Sequence, residues 1–227
     1  MSPITNVFQN LDWSVLMDLL LQALPALICI MVHEICHGLA AYALGDSTAK
    51  DQGRLSLNPL RHIDWIGLAM LLAFHFGWAK PVRVDIRHFR HPKRDMAITA
   101  LAGPLSNFIL AILILFLCGL LYSSCMGSSF GYWLIRLLFT TAYLSIALGL
   151  FNLIPFPPLD GSKVLFSFLP DRLYVRMMML ERYGMMILIV LVLILNRVTD
   201  VSPIQTAANK VFYGLYPIFE WAYSLTL

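Results

Sequence analysis

Charge is what this sequence has least of. Asp, Glu, Lys and Arg make up 13% of its 227 residues, against about 25% in soluble domains. Hydrophobic residues supply 59% and the mean hydropathy is +0.74. That balance excludes a water-soluble globular domain, a disordered chain and a fibrous repeat. Internal repeats and low-complexity tracts are also absent. The four cysteines, Cys29, Cys36, Cys118 and Cys125, follow no disulfide-framework pattern, and small packing residues are their expected role. A meeting of Cys118 and Cys125 near the outer face is the one alternative. The N-terminus has neither a basic region nor a small-residue cleavage site, so no cleaved signal peptide is expected.

Long apolar runs are plentiful, and several approach the roughly 18 to 20 residues that cross a bilayer. The expected fold class is an all-α polytopic membrane protein. It comprises a bundle of about five to six membrane segments with a small re-entrant β-hairpin on the cytoplasmic side, in one domain over residues 1–227. A first helix is read over residues 14–44, with Asp12 as cap, Gly45 and Asp46 as stop and Pro25 as the place for a kink. Spans follow at 97–121, 133–151 and 173–196, and residues 211–225 suit a tilted span or an interfacial helix equally. Between them, residues 46–96 form a cytoplasmic and re-entrant region. The apolar stretch 66–76 is too short to cross as a helix, and Val82 and Val84 alternate enough for a hairpin over 78–86.

A net charge of +3 gives no reason to expect nucleic acid as a partner, but its placement sets a topology. Nine of the 16 Lys and Arg lie in residues 46–96, and none lies in residues 1–13. Short basic loops stay in the cytoplasm, so the N-terminus is expected outside and the basic region inside the cell membrane.

The chemistry is concentrated in His33-Glu34-Ile35-Cys36-His37. Positions i and i+4 of a helix share a face, so both imidazoles can bind one metal while Glu34 reaches a water beside it. With six His in the chain, a chance match is expected in well under about one such chain in a hundred. Ionisable groups deep in an apolar helix are costly and are functional candidates by default. Two histidines leave a tetrahedral zinc one protein ligand short. Asp160 is the best third ligand: Pro155, Pro157 and Pro158 break the preceding span, and the topology returns Asp160 to the cytoplasmic half where His33 and His37 lie. The competing reading of Asp160-Gly161 is an ordinary turn. Cys36 is read as a small spacer, and His62, His75, His88 and His91 as ordinary polar residues.

These residues resemble the site-2 protease family of intramembrane zinc metalloproteases, in particular its small bacterial members without a PDZ domain. The likeness rests on His33-Glu34-x-x-His37, on Gly53 to Leu60 with His62-Ile63-Asp64, and on Phe76-Gly77-Trp78-Ala79-Lys80-Pro81-Val82 with Arg94-Asp95. Ala102-Gly103-Pro104-Leu105-Ser106-Asn107 and the run Asn152 to Gly161 complete it. The resemblance implies one zinc ion held by His33, His37 and Asp160, with Glu34 as catalytic base. It also implies that Asn152 lies beside the site, holding the substrate or a developing oxyanion. The expected function is a zinc-dependent intramembrane endopeptidase acting on transmembrane protein substrates in the lipid bilayer. A membrane metal transporter using the same His/His/Asp cluster is the alternative.

Overall fold

A computed structural model describes residues 13–58, 61, 62, 64, 67, 80–198 and 203–227. Its helices are α1 (Trp13–Ala43), α2 (Thr48–Asp51), α3 (Pro92–Cys125), α4 (Ser129–Asn152), α5 (Asp160–Ser167), α6 (Asp171–Val198) and α7 (Pro203–Ser224), with a 3-10 turn at Ile86–His88. Among the described residues there is no strand. Three helical stretches are long and apolar enough to cross a membrane: Ala23–Ala43, Pro92–Cys125 and Ser129–Asn152. This makes the chain a membrane protein, with three such spans among the described residues, where about five to six membrane segments were expected. The expected segment 173–196 lies in α6, whose first half carries Arg172, Arg176, Glu181 and Arg182; that at 211–225 lies mostly in α7, which carries Lys210 and Glu220.

The α1 helix carries Pro25 inside it and ends where Gly45 takes a φ of 109°, a left-handed conformation that glycine adopts without a Cβ clash. The α3 helix runs from Pro92 because proline at a first helical position sacrifices no hydrogen bond. Its first turns hold Lys93, Arg94 and Asp95, and the Asp95 carboxylate caps it by accepting the His91 N–H at 2.9 Å, so the helix starts before the expected residue 97. The Ser128 hydroxyl oxygen caps α4 by accepting the Gly131 N–H. Prolines 155, 157 and 158 then separate α4 from α5.

The helices α3, α4 and α7 pack through small or slim residues, including Ala111, Cys118, Ala142 and Ala208, with Leu115, Ile146 and Phe219 filling between them. Lipid tails give apolar side chains no reason to prefer a neighbouring helix, so close backbone approach carries such packing. Gly119 supplies it: a Cβ there would lie 2.5 Å from the Phe219 carbonyl oxygen. A second cluster of Ala41, Phe89 and Met96 pins residues 80–91 between α1 and α3.

The hairpin expected over 78–86 is not seen among the described residues. Residues 78 and 79 lie outside the described residues, and residues 80–85 run into the 3-10 turn with no strand among the described residues, the Lys80 N–H going to the His62 carbonyl oxygen at 3.0 Å. Pro81 has no N–H for a ladder, the Val82 N–H goes to Glu34 and the Asp85 N–H goes to Asp46. All four cysteines are free.

Candidate metal centre

His33 and His37 project from one face of α1, their rings 4.5 Å apart and perpendicular. Asp160 begins α5, which the proline-broken connection brings back against α3. Its Oδ2 lies 3.0 Å from His33 Nε2 and 3.1 Å from His37 Nε2, while the two Nε2 atoms are 3.0 Å apart. All three side chains are buried. The structure therefore brings together the three residues that the sequence put forward as metal ligands, although 123 residues separate His37 from Asp160.

The outer ring nitrogens decide what this triangle can hold. His37 Nδ1–H donates to the Thr99 carbonyl oxygen at 2.7 Å. The Asn107 side-chain amide lies 3.2 Å from His33 Nδ1 through Nδ2, and its Oδ1 is buried with no partner. Turning that amide over satisfies both groups at once, with His33 Nδ1–H donating to Oδ1. Each Nε2 then carries its lone pair inward, beside a carboxylate oxygen that also only accepts. Three lone-pair donors at 3.0–3.1 Å can hold a cation between them. Nitrogen and oxygen ligands about 2.0–2.1 Å from a tetrahedral metal stand about 3.3 Å apart, so the set fits a small divalent ion closely.

Gly103 makes room for the rings. A Cβ on this α3 residue would lie 2.4 Å from His37 Nε2 and 2.7 Å from His33 Cε1. Gly161 does the same for the carboxylate's helix, where a Cβ would lie 2.2 Å from the Leu153 carbonyl oxygen.

The triangle opens onto a cleft of about 380 Å³, lined also by Glu34, Val82, Asn152, Lys163 and Glu181. Glu34 Oε2 accepts the Val82 N–H at 2.7 Å. Asn152 donates one amide N–H to Leu148 O at 3.0 Å and is half-buried on the cleft wall. Cys36 is not among the clustered donors. His62 Nε2–H donates to the Ser56 carbonyl oxygen at 2.8 Å, and His88 Nδ1–H donates to Asp46 at 2.9 Å. Both keep the ordinary polar roles expected of them, while His75 lies outside the described residues.

Sequence reasoning gave no role at the site to Thr99, Lys163 and Glu181, nor to Gly103 and Asn107, which it singled out only as part of a motif. Thr99 acts through its backbone, which no sequence pattern marks. Asn107 was the most accessible of the five, as a polar residue inside a charge-free apolar span.

Comparison with known proteins agrees with this chemistry. Residues 121–195 match the profile of "Peptidase family M50", a stretch that includes Asn152 and Asp160. "Putative zinc metalloprotease YwhC" of Bacillus subtilis is 38% identical over 167 residues, covering 73% of this chain and 76% of that protein. Rip2 of Mycolicibacterium smegmatis, given the same description, is 29% identical over 201 residues, covering 86% of this chain and 71% of its own. Rip2 of Mycobacterium tuberculosis is 28% identical over 148 residues, or 61% of this chain and 53% of its own. No solved structure matches the chain.

Proposed function

The chain belongs to peptidase family M50, and we propose that it is a zinc-dependent endopeptidase that cuts a peptide bond in or beside a transmembrane segment of another membrane protein. The observation that carries this reading is the convergence of His33 Nε2, His37 Nε2 and Asp160 Oδ2 at 3.0–3.1 Å, with Glu34 in the same cleft. His33, His37 and Asp160 would hold the ion. Zinc, when bound, supplies Lewis acidity and brings the pKa of a coordinated water to about 7.

Glu34 takes the proton from the attacking water and returns it to the leaving amine. The amide of Asn152 that is left after its bond to Leu148 steadies the substrate backbone or its developing oxyanion. A substrate helix must unwind before its peptide bond is reached, and unwinding releases backbone groups that need partners in lipid. Residues 80–85 form no ladder by themselves. An extended substrate segment would supply the missing strand along the 78–86 edge, by β-augmentation. The excess of Lys and Arg in residues 46–96 favours a cytoplasmic side for the cleft and an outside N-terminus, in the cell membrane. In that arrangement α6 and α7 complete the bundle.

A metal transporter built on the same cluster has no support. The relatives are named as metalloproteases, and no second group of three ligands lies among the described residues to continue a path.

Glu34→Gln tests the proposal. The variant should keep its bound zinc and lose cleavage of a reconstituted single-span membrane protein by about 10²–10⁴-fold. Undiminished cleavage would refute the base assignment.

A further inference from the structure

We propose that Lys163 is a positioning residue of the metal centre, whose ammonium occupies the outer oxygen of Asp160 and keeps that carboxylate to ligation through a single oxygen. The inference rests on the metal-centre reading above and adds to it a residue outside the ligand set.

The two oxygens of Asp160 face different surroundings. Oδ2 meets both histidine Nε2 atoms at 3.0 and 3.1 Å, whereas Oδ1 faces Lys163 Nζ at 3.6 Å. A carboxylate beside a divalent cation can bind through one oxygen or both, and the partner offered to its second oxygen settles which. Lys163 stands three residues after Asp160 on α5, so the two side chains share a face. The start of that helix is fixed by the close approach of Gly161 to Leu153. Lys163 Nζ is held from its other side by Glu181 Oε1 of α6, at 3.7 Å. The lysine side chain is 24% exposed and the aspartate 9%, so neither is free to rearrange into bulk water.

Charge supports the same assignment. The cleft-lining residues include three carboxylates, Glu34, Asp160 and Glu181, and Lys163 is the single Lys or Arg among them. With neutral imidazoles that leaves a deficit of two positive charges, which one divalent ion fills. Removing the ammonium would leave a partly buried carboxylate pair uncompensated, and Oδ1 would turn to the nearest remaining cation, the metal.

Cobalt(II) loaded in place of zinc reports this directly, because its visible absorption is strong in four-coordinate sites and weak when a fifth ligand atom enters. The full-length protein in detergent should give the strong spectrum. Lys163→Met should weaken it severalfold with cobalt still bound, while Lys163→Arg should restore the wild-type spectrum. A wild-type spectrum for Lys163→Met, or an equally weakened one for Lys163→Arg, would overturn it and leave the metal centre standing. Failure of the wild-type protein to take up cobalt would sink the metal-centre reading itself. Lys163→Gln carries the same comparison if Lys163→Met does not purify as a folded species.

Discussion

At the scale of single residues, the site depends as much on an absent side chain as on those present. Gly103 has no chemistry of its own, yet a methyl group there would overlap both imidazoles. Gly103→Ala is therefore expected to push the rings apart and lower metal affinity about 10–100-fold with helix content unchanged. Zinc retained per chain after dialysis against a chelator, measured beside circular dichroism, checks this. The outer partners of the histidines work in the opposite sense, by presence: the Thr99 carbonyl and the Asn107 amide set which ring nitrogen bears the proton.

At the scale of elements, the strap of residues 80–91, which contains no strand, has to be kept beside α1. Asp46, wholly buried, does this. Its carboxylate accepts the Thr48 N–H and hydroxyl, the Asp85 N–H at 2.8 Å and the His88 Nδ1–H at 2.9 Å. Burial would raise its pKa, but these hydrogen bonds from Thr48, His88 and Asp85 outweigh it and hold the group below the usual 3.8. A carboxylate lowered on folding stabilises the fold fully above its unfolded pKa and loses that contribution as pH falls below it. Amide hydrogen exchange in residues 80–91 should thus stay slow from pH 7 to about 4 and accelerate below 3.8. Asp46→Asn, which sets an amide donor against donors, should accelerate exchange already at pH 7, at a cost of about 1–3 kcal/mol.

At the scale of the whole molecule, two packing regions divide the work. The metal triangle draws on α1 and α5, with α3 providing the floor, while α7 closes on α3 and α4 at a separate core around Leu115 and Ile146. That core depends on Gly119, where a Cβ would meet both the Phe219 carbonyl oxygen and the Ala222 side chain, the latter at 2.7 Å. Gly119→Val is expected to displace α7 and cost about 1–3 kcal/mol by overpacking. Thermal unfolding in detergent should register the loss as a lower Tm, and zinc content before unfolding should match the wild type.

The membrane class, the long first helix and the His33-Glu34-x-x-His37 face were determined by the sequence alone, because each follows from local composition or from helical spacing that neighbours do not alter. Asp160 stood out for a different local reason, a carboxylate placed where three prolines interrupt an apolar run. Helix ends were less legible: α3 and α7 begin before their apolar cores, with polar residues such as Lys93, which donates to the Leu169 carbonyl oxygen, and Thr206 already inside the helix. The strap showed a strand-like alternation at Val82 and Val84, but alternation records which faces suit burial and not whether a partner strand is there to pair. Only the tertiary structure decided that Asp160 Oδ2 reaches both imidazoles, that Thr99 and Asn107 orient them, that Gly103 leaves them space and that Lys163 and Glu181 meet at the cleft. Those are distances between chain segments far apart in sequence, and packing, not spacing, sets them.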